Sequence, residues 1–423
     1  LAQVSRRQFG VGALGLLALG VLDACTTNSD SANAPSGSKG STAGSSTKST
    51  PPPAPPATIT LNPANGAANI NPAAPISVTA AGGTITSVSL VNGAGAAIGG
   101  ALSADSLTWT ANQPLAYGDS YTVTANAVNT DGVAAAATGT FATLTPGNMT
   151  LPYLYNRAGG SIVEGGTYGV GMLIRLRWDE DITDKAAAEQ ALVVTTNPPV
   201  AGSWTWWDDR NMTWRPQEYY AAGTQVSVNL NVFGVQVGDN LFGQENVSTN
   251  FVIGSKHVSI ADDNTHQVSV YFDDVLQRTM PTSMGRGGYA TGSDGQSISF
   301  YTPSGTYTVL GQANPVLMDS STYGLPVDSP LGYKELIYWA TQISTDGIYL
   351  HELDSTVWAQ GNTDTSHGCL NLNGDNATWF YQTAQIGDIV QIQNTGGAPV
   401  AQYQGGDWSV DWATWIANSA LPH

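Results

Sequence analysis

Apolar and polar side chains alternate with a repeat of two through much of the chain beyond residue 58. The pattern is plain in Ile76-Ser77-Val78-Thr79, Tyr121-Thr122-Val123-Thr124, His266-Gln267-Val268-Ser269-Val270-Tyr271 and Gln296-Ser297-Ile298-Ser299-Phe300. Successive side chains of a strand point to opposite faces, so these runs predict half-buried β-strands, and Asp388-Ile389-Val390-Gln391-Ile392 predicts another. Helical spacing is rarer. Residues 333–343 and 377–385 predict short helices, the second with Asp375 or Asn376 as its N-cap. Near the end, Trp408, Trp412 and Trp415 fall at i, i+4 and i+7, which predicts one helix face packed on the neighbouring domains.

The strand pattern repeats. Leu107-Thr108-Trp109, Gly118, Tyr121 and Val123 are matched by Met212-Thr213-Trp214, Gly223, Val226 and Val228, each pair offset by 105 residues. A register held through a strand, a turn and the next strand implies two copies of one β module. Two immunoglobulin-like sandwiches fit, over residues 58–145 and 146–254, without the disulfide of antibody domains. Trp204, Trp206 and Trp207 make the second module aromatic. They could bind glycan, but packing in a core or between domains is the preferred reading.

Before the sandwiches the character changes. Residues 26–57 are rich in Ser, Thr and Gly and close on Pro51-Pro52-Pro53-Ala54-Pro55-Pro56, a flexible tether stiffened at its end. Residues 1–25 read as an export signal: Ser5-Arg6-Arg7-Gln8-Phe9 is similar to a twin-arginine signal. A short apolar run then ends in Leu22-Asp23-Ala24-Cys25, which resembles a lipobox with Cys25 as the lipid attachment site. These features predict an exported protein held to the outer face of the cytoplasmic membrane by lipid, with the tether supplying reach.

Charge narrows the partners. Lys and Arg number 14 against 32 Asp and Glu, a formal charge of -18. Phosphate neutralisation needs clustered basic side chains, so a nucleic-acid partner is excluded. The two cysteines sharpen the picture. If Cys25 carries lipid, Cys369 has no disulfide partner, and an unpaired thiol in an oxidising compartment implies use of that thiol.

Cys369 lies in Ser366-His367-Gly368-Cys369-Leu370-Asn371, and His351 ends the strand-like run Gly347-Ile348-Tyr349-Leu350. A thiol nucleophile needs a nearby base to become thiolate, and histidine is that base near neutral pH; the pairing predicts a lowered thiol pKa. Gly368 allows close backbone approach, and amides around a nucleophile can form an oxyanion hole. Two histidines and a cysteine could instead ligate zinc, but a fourth ligand is missing, so no metal and no cofactor are expected.

The full string resembles the L,D-transpeptidase (YkuD) family, where a histidine precedes an S-H-G-C-hydrophobic-N segment. Thr302-Pro303-Ser304-Gly305-Thr306-Tyr307 is similar to the family's T-P-x-G-x-Y segment. Met318-Asp319-Ser320-Ser321-Thr322-Tyr323-Gly324, Gly332-Tyr333, Trp339-Ala340-Thr341-Gln342 and Gly406-Asp407-Trp408 resemble its mycobacterial type. The resemblance implies a mainly β chain: two immunoglobulin-like sandwiches, a β-rich catalytic domain of the YkuD type over residues 255–395, and a short helical Trp-rich tail over 396–423. It also implies the chemistry. A tetrapeptide stem of peptidoglycan loses its terminal D-Ala and is held on Cys369 as a thioester. The side-chain amine of meso-diaminopimelate on a second stem then attacks, leaving a 3→3 cross-link.

Residue by residue, the resemblance makes Cys369 the nucleophile and His351 its base. The His367, Gly368 and Cys369 amides surround the oxyanion with Tyr333 against it, and Ser366 belongs to the same catalytic segment. Met318, Tyr323 and Asn371 line the cleft. The residue after the base orients it through a backbone carbonyl; here that residue is Glu352, where relatives often have Ser. The thiol is also expected to open the ring of carbapenems. L,D-carboxypeptidation, or transfer of the donor stem to another amine, uses the same acyl-enzyme and stays open. So does a wall-binding lipoprotein with an inactive domain, against which the intact His351 and Cys369 argue.

Overall fold

The alternation around Tyr121 belongs to the strand Ser120–Val128, whose Tyr121, Val123, Ala125 and Ala127 are buried while the residues between them lie nearer solvent. This strand pairs antiparallel with Thr84–Asn92 and Ala134–Thr143, and Ala67–Ile70 and Ala97–Ile98 complete a five-stranded sheet. Across from it lie Thr58–Asn62, Ser77–Ala81, Thr108–Ala111 and Gly100–Leu102. Val78, Leu90, Trp109, Tyr121 and Phe141 fill the space between the two sheets. Each such burial stabilises by roughly 1.5–3 kcal/mol. The computed structural model describes residues 54–422. The twin-arginine-like segment, Cys25 and nearly all of the tether lie outside those residues.

The second sandwich sets Pro152–Tyr155, Ile174–Trp178, Asn211–Pro216 and Gly202–Trp206 against Gly166–Tyr168, Val247–Ile253, Gln225–Leu230 and Leu192–Asn197. The repeat has a packing cause. A Cβ on Gly100 would fall 2.1 Å from the Trp109 ring, and one on Gly202 would fall 2.1 Å from the Trp214 ring. In both copies the indole occupies the space over a glycine of the adjoining strand. Gly118 and Gly223 then turn the chain at φ +64° and +79°, which side-chain-bearing residues rarely adopt.

The tryptophans of this module serve packing. Trp204 and Trp206 are buried in its core, and the guanidinium groups of Arg175 and Arg157 sit 4.6 and 5.3 Å from the Trp207 ring. The tail is not one helix. A 3-10 turn, Asp407–Ser409, and a short helix, Trp412–Ala417, share its tryptophans. Arg215 of the second sandwich gathers them, lying 4.9, 5.3 and 4.6 Å from the rings of Trp408, Trp412 and Trp415. Three cation–π contacts thus replace the single helical stripe.

The C-terminal third holds a five-stranded sheet, in the order Val275–Pro281, Gln267–Phe272, His257–Asp262, Ile389–Gln393, Gly305–Thr308. A four-stranded sheet runs Gly311–Ala313, Ala340–Gln342, Tyr349–Glu352, Leu370–Leu372. The helix Gly374–Thr383 buries Ala377 and Phe380, and its N-cap is Asn373 rather than Asp375 or Asn376; the Asn373 side chain accepts the Asn376 amide at 2.9 Å. The helix expected over 333–343 does not form. Lys334–Ile337 pairs with Val316–Asp319, and Ala340–Gln342 pairs with Gly311–Ala313. Trp339 at φ +48° breaks the run between them, so its backbone groups bond across strands rather than along a helix.

This third is joined to the second sandwich by backbone bonds. The Gly169 amide donates to the Ile386 carbonyl and the Gly171 amide to that of Gly387, both at 2.8 Å. A Cβ on Gly169 would lie 2.2 Å from the Asp388 nitrogen, so the approach requires glycine.

Candidate active site

Tyr349–Glu352 and Leu370–Leu372 are parallel neighbours, with Leu350 opposite Leu370 and His351 opposite Asn371. Leu350, Leu370 and Leu372 enter the core. The intervening positions of the pair, Tyr349, His351 and Asn371, therefore face the other way. Cys369, one residue before its strand, joins them in lining a cleft of about 1330 Å³. Two distant pieces of sequence thus bring a thiol and an imidazole to one surface.

The segment leading to Cys369 is held by side chains. Ser366 is buried; its Oγ donates to the Cys369 carbonyl at 2.6 Å and accepts the Gly368 amide at 3.0 Å. Gly368 sits at φ +134°, and this backbone conformation, more than any crowding, is what requires glycine there. Thr302 Oγ1 donates to the Gly368 carbonyl at 2.9 Å and accepts the Gly285 amide at 3.0 Å. Asp364 Oδ1 accepts the Met284 amide at 2.6 Å. Thr302 and Asp364 were not singled out from sequence. Thr302 opens the T-P-x-G-x-Y segment, which was the available signal; Asp364 had none beyond its nearness to Ser366. The Gly368 amide is taken up by Ser366, so it is not a free oxyanion donor.

Burial dominates the electrostatics. It pushes the Cys369 thiol up to about 11, with the Asp346 charge adding to the rise and the Tyr349 amide opposing it. The Sγ–H donates to the Gly347 carbonyl at 3.5 Å. His351 is buried and driven down to about 4, opposed by the bond from Nδ1 to the Glu352 carbonyl at 2.9 Å. The expected low thiol pKa is therefore corrected: at rest both groups are neutral.

His367 is displaced toward the cleft wall. Its ring meets Phe300 edge-on at 4.8 Å and lies 5.1 Å from Tyr333. Burial lowers its pKa, Arg286 adds to the effect, and a backbone bond at Leu331 opposes it. The rings of Tyr333 and Tyr323 lie 6.3 Å apart, and both phenols are raised, chiefly by burial. Met318 stands opposite Glu335 on the hairpin that borders the cleft. Trp358 and Tyr403 are both about 70 % exposed on its rim. Among the described residues, three ligand-type side chains converge elsewhere, at Asp263, His266 and Asp364.

Residues 256–392 match the L,D-transpeptidase catalytic domain, and residues 67–236, which span parts of both sandwiches, match a bacterial Ig domain. L,D-transpeptidase 2 of Mycobacterium tuberculosis is 41% identical over 363 residues, covering 86% of this chain and 85% of that protein. The chain belongs to the L,D-transpeptidases. L,D-transpeptidase 5 of the same species is 35% identical over 372 residues, covering 86% of this chain and 77% of the relative. Among solved structures, the L,D-transpeptidase of Mycobacterium smegmatis is 30% identical and covers 57% of this chain and 99% of its own, with a TM-score of 0.44. LD transpeptidase LdtMt1, solved in complex with imipenem, is 26% identical, with coverage of 57% and 99% and a TM-score of 0.47.

Proposed function

We propose that the chain cross-links peptidoglycan through a thioester on Cys369, with His351 as the proton carrier. One observation carries this reading: Cys369 and His351 line the same cleft from adjacent parallel segments. The Glu352 carbonyl can only accept, so Nδ1 of His351 carries the proton and Nε2 is the basic nitrogen. As the sulfur bonds to the diaminopimelate carbonyl of the donor stem, His351 takes the thiol proton and passes it to the departing D-Ala amine. The diaminopimelate side-chain amine of the acceptor then attacks the thioester, and its proton returns through His351 to the thiolate. This is general acid–base catalysis from a neutral resting pair.

The oxyanion would be met by the His367 and Cys369 amides and by the Tyr333 hydroxyl, since the Gly368 amide already serves Ser366. Met318, Tyr323 and Asn371 would line the path of the stems. The exported, lipid-anchored location rests on the twin-arginine-like and lipobox-like segments before residue 26. Incubation with a disaccharide tetrapeptide, followed by mass spectrometry, tests the chemistry. A thioester adduct, released D-Ala and a dimeric product are expected. Release of free tripeptide alone would make the chain an L,D-carboxypeptidase, and no adduct at all would overturn the assignment of Cys369.

A further inference from the structure

The second sandwich reaches toward the thiol through one side chain. Arg157 is buried just after the strand Pro152–Tyr155. Its Nε lies 2.6 Å from Asp407 Oδ2, and both side chains are almost fully enclosed. Its Nη2 donates to the carbonyls of Gln402 at 2.9 Å and Tyr403 at 3.2 Å. A planar guanidinium can hold a carboxylate and two carbonyls at once; an ammonium cannot match that fork.

The grip continues toward the cleft. The Tyr403 carbonyl also accepts Thr345 Oγ1 at 2.7 Å, and the Gln404 carbonyl accepts the Thr345 amide at 3.0 Å. Gln404 Nε2 donates to Asp346 Oδ2 at 2.6 Å. Thr345, Asp346 and Gly347 are exposed; buried Ser344 closes their turn from the core side, its Oγ donating to Asp346 Oδ1 at 2.6 Å and accepting the Ile348 amide at 2.8 Å, and the tail grips the same turn from outside. Gly347 closes the path, because its carbonyl accepts the Cys369 Sγ–H. A chain of polar contacts therefore links a buried arginine of the second sandwich to the sulfur.

We propose that Arg157 is a positioning residue for the thiol, acting through tail residues 402–407 to fix the turn whose Gly347 carbonyl orients Cys369. This rests on reading Cys369 as the nucleophile. In this arrangement the sandwich contributes to the acylation step itself, beyond any part it has in reach. Asp407 depends on the same contact, since its other oxygen, Oδ1, is buried without a hydrogen-bond partner. Removing Arg157 alone would leave that charge buried and unpaired.

The test uses the full chain, a carbapenem probe and two variants. Thr345→Val removes, at an exposed position, the hydroxyl bond to the Tyr403 carbonyl that Arg157 also holds, while the bond from the Thr345 amide remains. Arg157→Met with Asp407→Leu cuts it at its root while removing both buried charges. Each is expected to slow adduct formation about 10- to 100-fold, the scale of a small misplacement of a reacting group. The pH profile of Cys369 alkylation should shift as well, whereas the unfolding midpoint of Thr345→Val should stay at the wild-type value. Arg157→Lys should not restore the rate. Wild-type adduct rates and an unchanged alkylation profile in Thr345→Val would overturn the proposal, whether or not the double variant folds. A wild-type protein that forms no adduct would overturn the reading of Cys369 and this proposal with it.

Discussion

The Nδ1 of His351 lies 2.9 Å from the carbonyl oxygen of Glu352, the next residue on the same strand. The orienting atom belongs to the main chain, so the side chain at 352 has no part in holding the ring. It projects to the opposite face, where its carboxyl carbon would lie 3.7 Å from a Cβ placed on Gly374. Glu352→Ser should therefore leave the acylation rate near wild type and change stability by no more than about 0.5 kcal/mol. Carbapenem acylation kinetics check this; a large loss of rate would give the carboxylate a role of its own.

Cys369→Ala should abolish adduct formation with a carbapenem while the protein remains folded, because the small side chain fits the half-buried position without strain. Intact mass with and without the drug reads the outcome. A persisting adduct on the variant would place the nucleophile elsewhere.

The strands were legible where one face is buried and the other is not, as at Tyr121 and Val123, because a period of two is a local signal. The repeat was legible because Trp109 and Trp214 answer the same packing need over a glycine. Residues 333–343 misled, since their apolar spacing suits a helix while their partners, Val316–Asp319 and Gly311–Ala313, are set by tertiary pairing. In the site, the motif marked Cys369 and His351 but not their ionisation. Burial is a property of the folded cleft, and it outweighs the attraction that a cysteine–histidine pair suggests on paper. The Arg157–Asp407 pair joins residues 250 positions apart: Gly406-Asp407-Trp408 was legible as a segment, but nothing local marked Arg157 as its partner.

Acid stability should carry the mark of Asp263. Burial pushes its carboxyl up to about 7, with the hydrogen bond to Asp364 and the charges of Asp364 and Asp262 adding to the rise. His266 stands 3.8 Å away. The folded state then holds a proton that the unfolded chain, with an aspartate pKa of about 3.9, releases first. Its contribution to stability is complete below that value and is lost as pH rises through about 7. Asp263→Asn should flatten the fall in unfolding midpoint between acid and neutral pH. An equally steep fall in the variant would remove Asp263 as its source.

Cys25→Ser should move the protein from the membrane fraction to the soluble one, because the proposed lipid would have no thiol to join. Membrane binding that survives the change would mean that the apolar segment itself is the anchor.

The two histidines of the cleft should separate in one titration. His351 and the thiol are neutral at rest, each held so chiefly by burial in the cleft they line. His351→Ala should therefore slow acylation about 100- to 10,000-fold, the usual worth of a general acid–base group. The same change admits water, so the thiol should ionise more readily than in wild type, where burial holds it at about 11. Activity and thiol acidity would move in opposite directions. His367 sits against Phe300 and Tyr333, so His367→Ala should disturb the oxyanion side and slow acylation while leaving the alkylation profile close to wild type. Iodoacetamide labelling of Cys369 across pH, beside acylation rates, reads all three proteins. A higher apparent thiol pKa in His351→Ala would mean that an imidazolium had been stabilising the thiolate, and the neutral resting pair would be wrong.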